Sequence, residues 1–500
     1  MPQPNQPNIV LITTDQHRAD HTSGYGFPLD TMPFLDELGS QGHRFHRAYT
    51  TYPACVPART SILTGRFPIS TRVRQNSTPE EVVRDQDILE VLGGAGYSLL
   101  FAGKPHMYRN EASDWDRYDA PYFHDSGPQP PPTDADARFE QWLKDLAHRV
   151  SDEPTPFELE RQYCYRSTSS AIRFVEEAGD NPFFCWLSYP EPHNPYQAPD
   201  PYYSMFSPDE VPDRTSGPAD ALAKGGSYRW LRELIEEKRP GYDENWRRYR
   251  AVYCGMLRML DDQVRRLVDE LKRLGHWENT ILIFTTDHGD YVAEYGLQRK
   301  GAGMSEALMR IPMVVTGPGV QPRDDRVNFC SLADLLPTIC EAVGADIPLG
   351  VQGRSLWPLL TGAVVDGEEF VSVYAEHGFG GDKYEADERP ELHFPYEGPN
   401  FDELNTVTQS GSTRMVRMGP YKLLFDHDGN GELYNVERDP AELNNLYGNT
   451  DLQAVQAEAT TELLKWTIRV NDPLPEGVYT TKRHPHNWAR EHPEKAADCC

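Results

Sequence analysis

The chain has 500 residues, of which 38% are hydrophobic and 25% are charged, and its formal net charge is −28 at pH 7. This length is enough for two or three domains with a sizeable core. So large a negative charge argues against nucleic acid as a partner, and no apolar stretch is long enough to span a membrane.

The cysteines and the first eight residues indicate the cellular compartment of the protein. The eight cysteines are scattered, apart from the terminal pair Cys499 and Cys500. This is typical of a reducing compartment rather than of a disulfide framework. Residues 1–8 are polar and run into a predicted strand without the apolar core of a signal peptide. We therefore expect a cytoplasmic protein.

Short apolar runs alternate with amphipathic stretches along most of the chain. The first run, at 9–12, is continuous, as expected for a strand buried in a parallel sheet. Further strands are predicted, in chain order, at 98–102, 183–188, 281–284, 313–316 and 370–375. Helices are predicted at 166–177, 246–274 and 332–343. This alternation predicts an α/β fold with a doubly wound, mostly parallel sheet flanked by helices.

The pattern changes after residue 379. Three stretches beyond it have the character of antiparallel strands, at 414–418, 421–425 and 431–435. We therefore expect a large α/β domain at 1–379 and a smaller C-terminal α+β subdomain with an antiparallel sheet at 380–470. The last residues, 471–500, are rich in proline, histidine and charge, which predicts a tail.

The most restrictive motif is C-V-P-A-R-T-S-I-L-T-G-R, which runs from Cys55 to Arg66. Pro57 is typical of the first turn of a helix and Gly65 of its end, so Cys55 is predicted at a helix N-terminus. Free N–H groups and the helix dipole favour negative charge at such a place, and Arg59 lies one turn further along the same side. A buried structural cysteine is the competing interpretation.

Two polar clusters follow apolar strands. Asp15-Gln16 comes after the first strand, and Asp287-His288 comes after the strand at 281–284. Ligands of doubly wound sheets collect at the carboxyl ends of the strands, so both clusters are expected at one edge. Two carboxylates and an amide oxygen suit Ca²⁺, Mg²⁺ or Mn²⁺. The histidine nitrogen shifts the metal preference slightly toward Mn²⁺. A helix cap is the competing interpretation of either aspartate.

These motifs, in their order, resemble the type I, formylglycine-dependent sulfatases of the alkaline phosphatase-like superfamily. The matching segments are Asp15-Gln16, 55–66, Gly103-Lys104-Pro105-His106, Glu191-Pro192-His193-Asn194-Pro195, Asp287-His288-Gly289-Asp290, Lys300-Gly301, 421–424, 432–435 and Asp439-Pro440. The Asp-Gln and Asp-His pairs, and Ala58 in the motif, are similar to the choline sulfatase and phosphonate monoester hydrolase branch. The resemblance implies the α/β fold of that superfamily and makes 1–379 the sulfatase catalytic domain.

The resemblance also implies a modified nucleophile and a metal. Cys55 would be oxidised to formylglycine, the catalytic nucleophile, by a formylglycine-generating enzyme. One divalent metal is implied, with Ca²⁺ as the first choice because it is the family's commonest metal, and Mn²⁺ or Mg²⁺ as alternatives. The implied metal ligands are Asp15, Gln16, Asp287, His288 and the modified Cys55.

The remaining matched positions are implied to act on the substrate. The implied catalytic residues are Cys55, Arg59, Lys104, His106, His193 and Lys300. The implied substrate-binding residues are Asn76, Lys104, His193 and Lys300. A lysine or imidazolium beside a sulfate oxygen stabilises developing charge, and a histidine can donate or accept a proton. A lone histidine or lysine is more often an ordinary surface residue.

The sequence therefore predicts a metal-dependent sulfuric ester hydrolase that cleaves a small anionic sulfate ester into an alcohol and sulfate. Hydrolysis of a phosphonate monoester or a phosphodiester at the same site stays open, because both kinds of tetrahedral anion fit the charge pattern. A non-catalytic, anion-binding sulfatase homologue is a third interpretation, although every charged position that can be matched is filled. The alcohol part of the substrate stays open, as does the oligomeric state, with a homo-oligomer among the alternatives.

Overall fold

A large, mostly parallel sheet organises the first two thirds of the chain. The structure is a computed structural model that describes residues 6–76, 81–121, 133–146, 149–363, 365, 367–378, 384–390 and 412–471. The strands of this sheet are β1 (Asn8–Thr14), β2 (His43–Tyr49), β3 (Ser98–Gly103), β4 (Arg117–Asp119), β5 (Phe183–Ser188), β6 (Thr280–Thr286), β7 (Arg310–Thr316) and β8 (Arg323–Ser331). They lie in the order β4-β3-β5-β1-β6-β7-β2-β8. Among these strands β7 alone runs antiparallel to its neighbours, so the predicted α/β fold is confirmed.

Helices cover both faces of this sheet and one face of a second sheet. They are α1 (Pro33–Gln41), α2 (Cys55–Thr64), α3 (Pro68–Thr71), α4 (Ile88–Gly94), α5 (Asp134–Leu146), α6 (Tyr163–Ala178), α7 (Pro218–Lys224), α8 (Gly226–Lys238), α9 (Trp246–Leu274), α10 (Glu306–Met309), α11 (Leu335–Val343), α12 (Trp357–Thr361) and α13 (Gln453–Val470). Val10 and Ile12 of β1 pack in one core with α6 and α9. Ile9 and Leu11 pack in a second core with α2 and α11. Both faces of β1 are therefore buried, which explains its continuous apolar run.

The second sheet is antiparallel and forms the C-terminal part of the fold. Its strands are β9 (Ser372–His377), β10 (Thr413–Met418), β11 (Tyr421–Asp426) and β12 (Gly431–Asn435), in the order β12-β11-β10-β9. Trp466 of α13 stacks on Tyr374 of β9, so α13 covers the sheet. The predicted C-terminal antiparallel sheet is confirmed.

One predicted strand belongs to a different sheet from the one expected. The strand predicted at 370–375 as part of the large sheet belongs to the C-terminal sheet, because β9 pairs with β10. All six residues of β9 are buried, and a strand buried on both faces has the same sequence character in either sheet.

The domain limits at residues 379 and 470 stay predictions, and most of the predicted tail, 472–500, lies outside the described residues. Within the described part of the chain, no helix combines the length and the apolar character needed to cross a bilayer.

Candidate active site

Four buried side chains meet at the carboxyl edge of the large sheet. β1 and β6 pair in parallel register up to their last residues, so Asp15 and Asp287, which follow them, emerge side by side. Cys55 opens helix α2, and His288 follows Asp287. One ligand atom from each of these four buried residues lies within 4.8 Å of the other three. This group is called the central cluster below.

Helix α2 presents Cys55 to the central cluster. Every residue of α2 is buried, and the helix ends at Gly65 with the backbone in the left-handed region at φ 61°. Asn76 Oδ1 accepts a hydrogen bond from the Val56 N–H at 3.1 Å. Asn76 thus satisfies one of the free donors at the start of the helix and lies beside the first turn, next to Cys55.

Asp290 fixes the orientation of the Gln16 side chain. Gln16 Nε2 donates to Asp290 Oδ2 at 2.9 Å, and Gln16 Oε1 accepts from Lys300 Nζ at 2.9 Å. Tyr196 Oη donates to the same Asp290 oxygen at 2.6 Å. Two backbone N–H groups donate to Asp290 Oδ1, each at 2.8 Å. Asp290 therefore accepts from four donors and turns the amide oxygen of Gln16 toward Lys300.

The resemblance to the family implies that Gln16 is a metal ligand, and on that basis we expect Asp290→Asn to weaken metal binding by about 10–100-fold, the usual effect of changing a group that orients a ligand. The substitution is nearly isosteric, but the new NH₂ group faces donors, so Gln16 loses its fixed orientation. The measurement is the metal dissociation constant of the purified protein, by competition with a chelating dye.

Asp261→Asn is the matched control for this prediction. Asp261 is also a buried carboxylate, and it accepts two backbone N–H bonds from α1 at 2.8 Å each, away from the central cluster. The Asp261→Asn variant should bind the metal with the same affinity as the wild type. A folded Asp290→Asn protein with the wild-type dissociation constant would contradict the orienting role of Asp290.

Arg59 holds both aspartates of the central cluster. Its Nε donates to Asp287 Oδ2 at 3.0 Å, and its Nη2 donates to Asp15 Oδ2 at 3.4 Å. Its Nη1 donates to the Lys104 carbonyl oxygen at 3.0 Å and to Ser188 Oγ at 2.6 Å. The side chain is fully buried, and each guanidinium nitrogen has a protein partner. Arg59 is therefore placed to orient the carboxylates.

Two buried lysines approach the central cluster. Lys104 Nζ donates to Asp15 Oδ2 at 2.5 Å, and Lys300 Nζ donates to Cys55 Sγ at 3.4 Å. Gly103, just before Lys104, has φ 117°, and a Cβ there would lie 1.8 Å from the Ser188 carbonyl oxygen. A glycine is therefore required where β3 ends against β5 and delivers Lys104 to the site.

The lysines favour negative charge at the central cluster. Burial raises the pKa of the Cys55 thiol, but Lys300 and Lys104 hold it well below its usual range. Burial also opposes ionisation of Asp15, yet Lys104, with further contributions from His193, Arg59 and Lys300, holds the pKa of that carboxyl well below its usual value. The pKa of Asp287 is raised by burial and by Asp15, because two carboxylates share one small volume. A divalent cation between them would relieve this repulsion.

His288 directs a ring nitrogen at the central cluster. His288 Nδ1 lies 2.8 Å from the Gly289 carbonyl oxygen. A carbonyl oxygen only accepts, so Nδ1 carries a proton, and the neutral ring keeps its lone pair on Nε2. Nε2 lies 3.3 Å from Cys55 Sγ. Burial disfavours the charged ring, but the Asp287 carboxylate and Cys55 together raise the pKa of His288 above its usual value.

Two further histidines border the central cluster as neutral rings. Burial lowers the pKa of His193 to about 3, and Lys104 adds to the effect. His193 Nδ1 donates to the Asn194 carbonyl oxygen at 2.7 Å, which leaves the lone pair on Nε2. Burial also lowers the pKa of His106, although a hydrogen bond with Cys55 opposes this.

The residues predicted from the sequence thus lie in or beside the central cluster, and their individual roles stay predictions. Sequence reasoning did not assign Asp290 or Ser188 to the site. Asp290 stands in the Asp-His-Gly-Asp segment, and Ser188 is the last residue of β5. Position at a strand end was therefore the available signal for Ser188, and motif membership for Asp290.

Comparison with known proteins decides the family. The model of the family described as sulfatase matches residues 7–345. The chain belongs to the sulfatase family. The resemblance seen in the motifs is therefore confirmed, and so is the activity class, hydrolysis of a sulfuric ester.

Individual relatives of this sulfatase are distant but cover nearly the whole chain. It is 26% identical to the multifunctional alkaline phosphatase superfamily protein PehA of Trinickia caryophylli, over 95% of this chain and 99% of that protein. It is also 26% identical to the choline-sulfatase of Rhizobium meliloti, over 91% of this chain and 85% of that protein. The phosphonate monoester hydrolase of Silicibacter pomeroyi has a similar structure, with a TM-score of 0.75 and 22% identity over 93% of this chain and 96% of that chain. The structural likeness supports the fold alone.

Proposed function

We propose that this sulfatase hydrolyses a small anionic sulfate ester with a formylglycine nucleophile made from Cys55. The observation that carries the proposal is the position of Cys55 at the N-terminus of a buried helix. Its Sγ lies 3.4 Å from Lys300 Nζ and 3.3 Å from His288 Nε2. When formed, the formylglycine supplies a hydroxyl of its hydrated aldehyde for attack on sulfur.

The same proposal assigns one divalent metal to the central cluster. The ligands are Asp15, Gln16, Asp287, His288 and the modified Cys55. The donor set fits, because two carboxylates and an amide oxygen are the hard ligands that Ca²⁺, Mg²⁺ and Mn²⁺ prefer. Ca²⁺ is the first choice because it is the metal that the resemblance to the family implies, with Mn²⁺ or Mg²⁺ as alternatives. When bound, the metal supplies Lewis-acid polarisation of the nucleophile.

Lys104, Lys300 and Asn76 are proposed to bind the sulfate oxygens. A protein with a net charge of −28 has to concentrate positive charge locally to hold an anion. The ammonium groups of Lys104 and Lys300 are buried, so solvent screens them little. Asn76 Nδ2 is buried and has no hydrogen-bond partner among the described residues, which makes it available to a substrate oxygen.

His193 and His106 are proposed to handle protons. In the substrate-free protein the neutral His193 ring accepts a proton at Nε2 rather than donating one. A bound sulfate ester adds negative charge beside the ring, and this raises the pKa of His193 so that it can carry the proton for the departing alcohol oxygen. His106 and Lys104 are the alternative acids.

His193→Ala is expected to lower turnover by about 10²–10⁴-fold on the sulfate ester of a weakly acidic alcohol. The loss should be smaller on nitrophenyl sulfate, whose departing oxygen needs little protonation. Lys300→Ala is the matched comparison and should slow both esters alike, because Lys300 holds the anion. The values of kcat and kcat/KM for both variants on both esters measure the difference. Equal losses on the two esters for His193→Ala would transfer the acid role to His106 or Lys104.

Hydrolysis of a phosphonate monoester or a phosphodiester is the second candidate activity. It is favoured by the likeness to a relative described as a multifunctional alkaline phosphatase superfamily protein, because the cations of the site would hold either tetrahedral anion. Rates on aryl sulfates, choline sulfate, sugar sulfates and phenyl phosphonates at equal concentrations test both activities. A kcat/KM for phenyl phosphonate above that of every sulfate would favour the second, and no turnover at all would favour a non-catalytic homologue.

The proposal also names a partner and a compartment. Conversion of Cys55 requires a formylglycine-generating enzyme, and a small anionic ester is the substrate. The six cysteines in the described part of the chain are free thiols. Free thiols are typical of a reducing compartment, and we place the protein in the cytoplasm.

A further inference from the structure

A cavity of about 620 Å³ opens at the junction of the two sheets, apart from the central cluster. Its walls come from the segment after β1, from the ends of β2 and β7, and from the turn after β12. Among the described residues, those that line it include none of Asp15, Cys55, Asp287 and His288, so it is separate from the central cluster. This volume is large enough for a ligand of saccharide size.

The cavity wall contains nearly equal numbers of arginines and carboxylates. The wall carries six arginines, Arg18, Arg47, Arg250, Arg310, Arg326 and Arg417. It carries five carboxylates, Asp20, Asp213, Glu294, Glu306 and Glu437. The chain as a whole has a net charge of −28. The wall thus has one more arginine than carboxylates in a chain that is strongly acidic as a whole, so an anion is repelled less here than the net charge alone would suggest.

Arg310 differs from the other five arginines. Four of them are paired with carboxylates, as Arg18–Asp20, Arg47–Glu437, Arg250–Glu294 and Arg326–Asp324. Arg417 donates to backbone carbonyl oxygens. Arg310, the first residue of β7, is half-buried, and no hydrogen bond or ion pair within the described ranges reaches its guanidinium.

The carboxylate of Glu306 does not neutralise Arg310. Glu306 already accepts from Tyr49 Oη at 2.8 Å and from Lys422 Nζ at 3.2 Å. Burial raises the pKa of Glu306, but Lys422, Arg417 and Arg310 together hold it below its usual value. Three cations therefore act on Glu306, and one of them, Lys422, also pairs with Glu442 at 2.8 Å. Among the described residues Arg310 therefore has no ion pair of its own, and an anion in the cavity would supply one.

We propose that this cavity binds an organic oxyanion, a sulfate or carboxylate group on a saccharide-sized body, through the guanidinium of Arg310. A guanidinium offers two parallel donors that match the oxygens of a sulfate or carboxylate. Tyr25, Phe27 and Tyr49 line the same cavity and provide the aromatic surface on which small organic ligands pack. This binding is independent of the chemistry at Cys55.

Arg310→Gln tests the proposal, and Arg326→Gln is the matched control, because Arg326 lies on the exposed rim and is already paired with Asp324. Glucose 6-sulfate, glucuronate and inorganic sulfate are titrated calorimetrically into the wild-type protein and both variants. Binding at the central cluster is common to all three proteins. We expect Arg310→Gln to lose one binding site, or to bind at least tenfold more weakly there, while Arg326→Gln matches the wild type.

The three titrated compounds test different parts of the proposal. Tighter binding of glucose 6-sulfate assigns the oxyanion as sulfate, and tighter binding of glucuronate assigns it as carboxylate. Equal binding of inorganic sulfate and glucose 6-sulfate would overturn the role of the organic body. Identical titrations of the wild type and Arg310→Gln would overturn the site itself.

A second measurement does not depend on a variant. Wild-type crystals are soaked in glucose 6-sulfate, whose sulfur gives an anomalous signal at long wavelength. A peak within hydrogen-bonding distance of the Arg310 guanidinium supports the proposal. A peak at the central cluster without one at Arg310 overturns it.

Discussion

Cys55→Ala is expected to lower the turnover of sulfate esters by about 10⁴–10⁶-fold, the scale on which an enzyme loses its nucleophile. Alanine preserves the start of α2 and removes the sulfur, without which the β-carbon cannot be converted to the aldehyde. In protein produced together with a formylglycine-generating enzyme, mass spectrometry of the wild-type peptide that contains Cys55 should show that the sulfur is lost. Turnover is measured with nitrophenyl sulfate at a saturating concentration.

Cys340→Ala is the matched control for the nucleophile. Cys340 is as buried as Cys55 but lies in α11, and burial raises its pKa to about 12, so it is an inert thiol. Its replacement should leave turnover unchanged. An intact Cys55 thiol together with full activity would refute the assignment of the nucleophile.

The double variant Asp15→Asn, Asp287→Asn is expected to lose the metal. Each carboxylate becomes a neutral amide of the same shape, so the bound metal should fall from one ion per chain to a trace. Turnover should fall by at least about 10²–10³-fold, the effect of removing one group that stabilises charge in a transition state. Metal content is measured by mass spectrometry after dialysis. Ca²⁺ should restore turnover to chelator-treated wild type and not to the variant.

Asp325→Asn is the control for this variant. Asp325 is buried and lies 3.3 Å from His43 Nε2, which reproduces an aspartate beside a histidine at the β2–β8 edge of the sheet. It should keep the metal. One metal ion per chain in the double variant would show that neither aspartate is a required ligand. If Mn²⁺ but not Ca²⁺ restored turnover to the chelator-treated wild type, the metal would be Mn²⁺ and the proposed ligands would stand.

In the large sheet, the strands that the sequence predicts are mainly those buried on both faces by apolar side chains, such as β1, β5 and β6. Strand β2 was not predictable in this way, because its sequence H-R-F-H-R-A-Y places two histidines in the sheet. The structure shows why they are tolerated there. His43 Nε2 lies 3.3 Å from Asp325 Oδ2, and His46 Nε2 lies 2.6 Å from Asp324 Oδ1. The partners come from β8, which is remote in sequence, and no local pattern reveals such a pairing.

The candidate site likewise has a part that the sequence predicts and a part that it does not. Asp15, Cys55 and Asp287 stand at element ends, and parallel strands bring their carboxyl ends to one edge, so their meeting follows from the fold class. The orientation of Gln16 by Asp290 depends on a contact across 274 residues. The neutral state of His193 depends on burial and on Lys104, which follows β3. Neither property has a local signature, because each arises from tertiary packing.

The pairing of β1 with β6 makes metal binding a property of the whole fold. Thr286 Oγ1 donates to the Thr14 carbonyl oxygen at 2.8 Å across 272 residues, and closing so long a loop has an entropic penalty that only cooperative packing offsets. The unfolded chain therefore keeps Asp15 and Asp287 far apart, and a metal held by both would bind the native state alone. By mass action, each tenfold rise in metal concentration above its dissociation constant would add about 1.4 kcal/mol to the free energy of unfolding. The midpoint of chemical denaturation would then report metal affinity without any substrate.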